Sequence, residues 1–311
     1  MPETSLLDPA KFADPWRTAK GEERAHVTFT GWRTLWFNTG TLCNITCANC
    51  YIESSPRNDR LIYLTPDDVA PFLDELTGPI EIGFTGGEPF MNPHIIALLD
   101  GALARGHEAL VLTNAMRPML RPRVQAGLLE LKARFGARLT LRVSLDHWSA
   151  EFHDRERGAG SFDKTAQGLD WVTEAGFRVA LAGRTIWGES EAEARAGYGA
   201  LCARRGWPLD CANPAQLVLF PEMNDRLDTP EITTACWGIL AKSPASLMCA
   251  SARMVARRQG APRAEVLACT LIAYDRRFSL GSTLAEATAA PLALNHPHCA
   301  KFCVLGGASC S

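Results

Sequence analysis

Leu35-Trp36-Phe37-Asn38-Thr39-Gly40-Thr41-Leu42-Cys43-Asn44-Ile45-Thr46-Cys47-Ala48-Asn49-Cys50 runs an apolar, strand-like segment straight into a loop that carries three thiols. The first four residues have the aromatic and aliphatic content of a short buried strand. The thiols at 43, 47 and 50 fall within eight residues, separated by gaps of three and two. A single loop can wrap three irons of a cubane cluster in this way and leave the fourth iron without a protein ligand. An open metal position is where a substrate binds and reacts. On the thiols alone, a zinc site short of its fourth ligand, or a set of buried cysteines, fits the same spacing.

Outward from that strand, strand-like and helix-like runs alternate. Residues 79–85, 109–113, 138–145, 178–184 and 216–220 read as strands, and 94–105, 121–135, 162–175 and 191–205 as helices. Thr65-Pro66-Asp67-Asp68 supplies a cap, a first-turn proline and acidic residues for one more helix, which ends near Leu76, and Ser190 caps the helix that begins at 191. About six βα units predict an α/β fold, a partial (β/α)6 parallel barrel, with its ligands at the carboxyl edge of the strands. The cysteine loop, Gly86-Gly87-Glu88-Pro89, Ser144-Leu145-Asp146 and Arg184 all fall at that edge.

The chain has 311 residues, 47% of them hydrophobic, which is enough for a sizeable core. A net charge of −2 without long basic blocks gives no reason to expect nucleic acid or an anionic membrane as partner. There is no signal-like start and no apolar run approaching the roughly 20 residues of a membrane helix, so the expected location is the cytoplasm. In that compartment eleven cysteines point to metal or redox chemistry rather than disulfides.

After about Pro221 the pattern changes to short segments rich in Gly, Pro and cysteine. The reading divides the chain into an N-terminal extension (1–30), a core domain (31–225) and a cysteine-rich domain (226–311). Cys249, Cys269, Cys299 and Cys303 form two pairs, the first brought together by a turn around Gly260. Four such thiols bind either tetrahedral zinc or a fully ligated [4Fe–4S] cluster. Cys310 is a candidate to replace Cys299 or Cys303, Cys236 serves a further site or none, and Cys202 and Cys211 read as ordinary core or surface residues.

The Cys-x3-Cys-x2-Cys loop after a first strand, followed about 35 residues later by Gly-Gly-Glu-Pro after a second, resembles the radical S-adenosylmethionine (SAM) superfamily. The resemblance covers about residues 35–220. It implies that Cys43, Cys47 and Cys50 ligate a [4Fe–4S] cluster whose open iron takes the amino and carboxylate groups of SAM. It assigns Gly86, Gly87 and Glu88 to the turn that binds the SAM amino group, with Glu88 ordering the loop. It assigns the strand end at Ser144 and Asp146 to the ribose, and Arg184 is a candidate partner for the SAM carboxylate. The family commonly carries an aromatic residue just before the third cysteine; here that position is Asn49 and the aromatic is Tyr51. Asp154, Arg157 and Gly158 resemble a loop common in these enzymes, with a structural ion pair as the plainer reading.

The tail resembles the twitch domain, the short form of the SPASM domain, which holds an auxiliary [4Fe–4S] cluster. The implied activity is reductive cleavage of SAM and hydrogen abstraction by the 5′-deoxyadenosyl radical, of oxidoreductase or isomerase type, with flavodoxin or ferredoxin as electron donor. Because 42 residues precede the cluster loop, a small-molecule substrate is favoured over a peptide or protein. A reading of another class is a non-catalytic iron–sulfur or zinc redox sensor.

Overall fold

The computed structural model describes residues 6–307. In chain order its strands and longer helices are β1 (His26–Val27), β2 (Thr34–Asn38), α1 (Pro66–Asp74), β3 (Glu81–Thr85), α2 (Ile95–Ala104), β4 (Glu108–Thr113), α3 (Pro122–Phe135), β5 (Leu139–Ser144), α4 (Ala150–Arg157), α5 (Ser161–Glu174), β6 (Arg178–Arg184), α6 (Glu191–Arg205), β7 (Leu217–Phe220), β8 (Ala252–Ala256), β9 (Glu265–Leu267) and β10 (Leu292–Ala293). Parallel neighbours need a crossover connection, and helices supply it throughout β3 to β7.

Eight of these strands form one open sheet in the order β7-β6-β5-β4-β3-β2-β8-β9, parallel except for the last pair. The expected partial parallel barrel is therefore present. Its register explains a sequence detail: Trp36 on β2 lies opposite Gly83 on β3, and a Cβ at 83 would collide with the indole. Side chains alternate between the two faces of each strand. Leu35, Phe37, Ile82, Phe84 and Val111 pack outward against the helices, while Trp36, Leu110, Met254, Leu271 and Phe302 fill part of the inner face.

The helix starts follow local chemistry. Thr65 and Asp68 form a capping box on α1, with Pro66 in its first turn, and Ser190 and Glu193 form another on α6. Three elements depart from the sequence reading. Residues 150–157, read as loop, are helical. β8 pairs in parallel with β2, so that part of the cysteine-rich tail continues the core sheet. The N-terminal segment is also anchored: β1 pairs with β10, and the fully buried Arg24 binds Glu231 at 2.5 Å and the carbonyls of Asp14, Arg17 and Leu294.

Candidate functional site

The turn after β3 is built to meet the cysteine loop. Gly87 N–H donates to the Gly40 carbonyl at 2.8 Å and Glu88 N–H to the Leu42 carbonyl at 3.1 Å. A Cβ at Gly86 would collide with the Gly40 carbonyl and one at Gly87 with the Leu42 carbonyl. Gly86 also has φ +139°, which disfavours any side chain. The paired glycines thus first serve the approach of one backbone to another, a role that spacing alone does not reveal. Glu88 is buried and accepts from Phe90 N–H (3.2 Å), Thr113 Oγ1 (2.8 Å) and Asn114 N–H (2.8 Å), tying this turn to the end of β4. Burial pushes its carboxyl up to about 7, against the pull of those three hydrogen bonds.

In the loop itself Cys43 is buried and Cys47 and Cys50 are half-buried. Burial pushes the Cys43 thiol up to about 12 and the Cys47 thiol up to about 11. Such thiols ionise only when a cation takes the place of the proton, as iron does. Ser54 N–H already points at Cys50 Sγ (3.3 Å) and Asn114 Nδ2 lies 3.9 Å from Cys43 Sγ, contacts suited to thiolate sulfur. Among the described residues no three His, Cys, Asp or Glu side chains converge tightly enough for a single metal ion. Ligands spread over several irons stand farther apart than that.

α4 supplies what the sequence reading missed. Its Glu156 receives Asn49 N–H (2.9 Å), Asn49 Nδ2 (2.8 Å) and Arg184 Nη1 (2.9 Å), so one buried carboxylate links the cysteine loop to the end of β6. Arg184 keeps two buried nitrogens, Nε and Nη2, without a partner. Arg157, the next residue of α4, grips both oxygens of Asp146 at 2.6 and 2.9 Å. Burial pushes the Asp146 carboxyl up, but the Arg157 charge and hydrogen bonds carry it below the usual range. This is the structural ion pair that the sequence allowed for Arg157. Asp154 caps α5 through Gly160 N–H, Ser161 Oγ and Phe162 N–H. His153 Nδ1 accepts from Asp146 N–H at 3.2 Å.

Cys43, Cys47, Cys50, Gly86, Gly87, Ser144, Asp146 and Arg184 line a single cavity of about 1090 Å³, its open mouth included, at the carboxyl edge of the strands. Glu88 lies behind it, and both Tyr51 and Asn49, two places earlier, line it. Phe220 and Met223, at and just after the end of β7, and Thr270, Leu271 and Phe302 from the tail close the cavity. None of these five stood out in the sequence, because each is an ordinary apolar or small polar residue whose position only the sheet defines.

In the tail, Cys249, Cys269, Cys299 and Cys303 line one small apolar cavity of about 480 Å³. Burial pushes the Cys249 thiol up to about 12 and raises Cys269 and Cys299 as well. Cys236 does not line it; its sulfur accepts from Thr233 N–H at 3.4 Å. Cys310 lies outside the described residues. Cys202 and Cys211 are buried, with their sulfurs 3.6 Å apart.

A sheet of parallel βα units with a three-thiol loop at its carboxyl edge places a cofactor-sized cavity where such folds bind their ligands. Residues 37–194, half of the chain, match the Radical SAM superfamily, and the chain belongs to that family. The family's chemistry uses SAM and a [4Fe–4S] cluster. Over 143 residues the chain is 32% identical to the antilisterial bacteriocin subtilosin biosynthesis protein AlbA of Bacillus subtilis, covering 45% of this chain and 30% of that one. Over 137 residues it is 31% identical to the mycofactocin maturase MftC of Mycolicibacterium smegmatis, covering 43% and 33%. The matched stretch spans about a third of the length of these relatives. The fold is similar to that of Streptococcus suis SuiB in its crystal structure bound to precursor peptide SuiA. The TM-score is 0.59 at 12% identity, over 83% of this chain and 64% of that one. No helix of the described residues is long and apolar enough to cross a membrane.

Proposed function

We propose that this chain is a radical SAM maturase acting on a peptide, with Cys43, Cys47 and Cys50 holding the SAM-binding [4Fe–4S] cluster. The observation that carries the reading is the single cavity that brings these thiols together with the Gly86-Gly87 turn, Ser144 and the two unpartnered nitrogens of Arg184. When bound, cluster and SAM supply a one-electron reductive cleavage that yields a 5′-deoxyadenosyl radical.

The chain's own residues orient those groups. Arg184, fixed by Glu156 through one nitrogen, offers the other two to the SAM carboxylate as charge-assisted donors. The Gly86-Gly87 backbone receives the amino group and the Ser144 hydroxyl the ribose. Asp146 acts at one remove, by holding Arg157 beside the cysteine loop. The apolar wall of Phe220, Leu271 and Phe302 excludes water and other quenchers from the reacting C–H bond.

A peptide replaces the small molecule favoured by the sequence because the curated relatives include a maturase and a fold neighbour was solved with a precursor peptide. Cys249, Cys269, Cys299 and Cys303 hold an auxiliary [4Fe–4S] cluster in this reading, supported by their convergence on one cavity. Flavodoxin or ferredoxin is the electron donor, and the cytoplasm the compartment that keeps all these thiols reduced.

The test is anaerobic reconstitution followed by dithionite reduction and measurement of 5′-deoxyadenosine from SAM. Wild-type product that disappears in the Cys43→Ala, Cys47→Ala, Cys50→Ala triple variant supports the radical chemistry; no product from a fully loaded wild type returns the chain to the redox-sensor reading. Candidate peptides and small molecules are then compared for stimulation of SAM cleavage. Stimulation confined to small molecules overturns the peptide assignment.

A further inference from the structure

Three arginines that the fold buries or largely buries have carboxylate partners: Arg24 with Glu231, Arg157 with Asp146 and Arg184 with Glu156, all within 2.9 Å. Arg253, in the middle of β8, is different. It is only 1% exposed, yet every hydrogen bond it makes goes to a neutral carbonyl: Nε to Ala287 at 3.0 Å, and Nη1 to Cys249 at 2.5 Å and Ala252 at 2.7 Å. Its Nη2 has no partner, and its remaining neighbour is the ring of Phe29, 4.9 Å from the guanidinium carbon. Among the described residues no Asp or Glu pairs with it. A guanidinium does not give up its proton to escape burial, and a charge taken out of water without a counter-ion is strongly unfavourable. The fold therefore leaves a buried positive charge here without a carboxylate to balance it. The Nη1 contact of Arg253 sets the guanidinium directly beside Cys249, one of the four cysteines that converge on the tail cavity.

We propose that Arg253 is the built-in counter-charge of the tail site: its fixed cation stabilises the thiolates of Cys249, Cys269, Cys299 and Cys303, and also the electron that a bound cluster accepts. This rests on the auxiliary-cluster reading above and extends it to the cluster's redox behaviour. A [4Fe–4S] cluster with four thiolates carries net negative charge in both redox states, and one-electron reduction adds another without making or breaking a bond. A buried cation beside Cys249 favours the reduced state, so the site is tuned to accept an electron rather than to give one up readily.

The experiment uses the full chain carrying Cys43→Ala, Cys47→Ala and Cys50→Ala, so that only the tail cluster remains. Iron per chain is measured first. A chain without iron in this background fails the auxiliary-cluster reading itself, and the inference falls with it. With iron present, Arg253→Gln, which keeps donors for the carbonyls but removes the charge, and Arg253→Lys, which keeps the charge, are titrated with dithionite under EPR detection. The expected result is an Arg253→Gln cluster whose one-electron equilibrium is shifted at least tenfold toward the oxidised form, a midpoint about 59 mV lower, while Arg253→Lys stays close to the parent. Equal midpoints in all three chains, or a Lys variant shifted as far as the Gln variant, overturn the assignment. Should Arg253→Gln give no folded chain, Arg253→Lys decides alone: iron and midpoint retained support the counter-charge role, and a tenfold loss in either overturns it.

Discussion

Glu156 takes three donors at once, two from Asn49 and one from Arg184, so its removal is felt on both sides of the cavity. Replacing it with Ala leaves Arg184 buried beside no carboxylate, and breaking a buried pair in this way costs about 3–5 kcal/mol. Chemical denaturation of Glu156→Ala is expected to show a loss in that range, together with weaker SAM binding because Arg184 is no longer held. Gly87→Ala tests the close approach of the two backbones. The new methyl meets the Leu42 carbonyl, not a flexible side chain, so the cysteine loop must move. The expected loss is about 1–3 kcal/mol of stability, with a fall in iron bound by reconstituted protein. Glu88 adds a pH signature. Its folded value near 7 lies above its ordinary carboxyl value of 4.5, so the native apo chain holds a proton that the unfolded chain releases. Stability from this group is present below about pH 4.5 and declines as pH rises toward 7. Denaturation of the apo protein at several pH values should show that slope, and Glu88→Gln should flatten it.

At the scale of elements, capping chemistry was legible because it is local. Thr65 accepts Asp68 N–H while Asp68 receives Thr65 N–H in return, and both halves of that box lie in four consecutive residues. Thr65→Ala is expected to cost about 1 kcal/mol, read as a lower thermal midpoint, with SAM cleavage per folded chain unchanged since α1 does not reach the cavity. The βα alternation was legible for the same reason: each strand from β3 to β6 is a compact apolar run between helices of clear period. α4 was not, because Ala150-Glu151-Phe152-His153-Asp154-Arg155-Glu156-Arg157 offers no apolar stripe. It is defined by the hydrogen bonds Glu156 accepts from Asn49 and by the ion pairs with Asp146 and Arg184. β8 was missed because an arginine interrupts the short apolar run Ala252-Arg253-Met254-Val255-Ala256, a charge that a buried strand does not ordinarily carry. The three-thiol loop and the Gly-Gly-Glu turn were visible as motifs, but their mutual hydrogen bonds join residues about 45 apart in sequence and appear only in the fold.

Over the whole molecule, β2 links the two halves of the sheet. Leu35, Trp36 and Phe37 have no exposed surface, and the strand is hydrogen-bonded to β3 on one side and β8 on the other. The change of sequence pattern after Pro221 suggested a boundary, yet the sheet crosses it, and Leu271 and Phe302 return to cover the inner face beside Trp36. A chain ended at residue 235 loses β8, β9 and that cover together. It presents β2 as a long apolar edge with unpaired N–H and C=O groups, the condition under which strands recruit one another between molecules, and it opens an apolar patch at the cavity wall. The expected outcome is a truncated chain that is largely insoluble, or that sediments as aggregates and binds hydrophobic dyes, while the full-length chain remains dispersed. A truncated chain that sediments as a monomer and unfolds cooperatively would instead mean that the parallel core is a separate unit, with β8 an addition to a sheet already stable without it. The cavity bears on the same experiment, because three of its wall residues, at 270, 271 and 302, lie beyond the cut. If the core alone stays folded, its SAM binding reports how much of the site the tail completes: loss of the tail should leave the cysteine loop and Arg184 able to bind, while exposing to water the face where the substrate's C–H bond must lie.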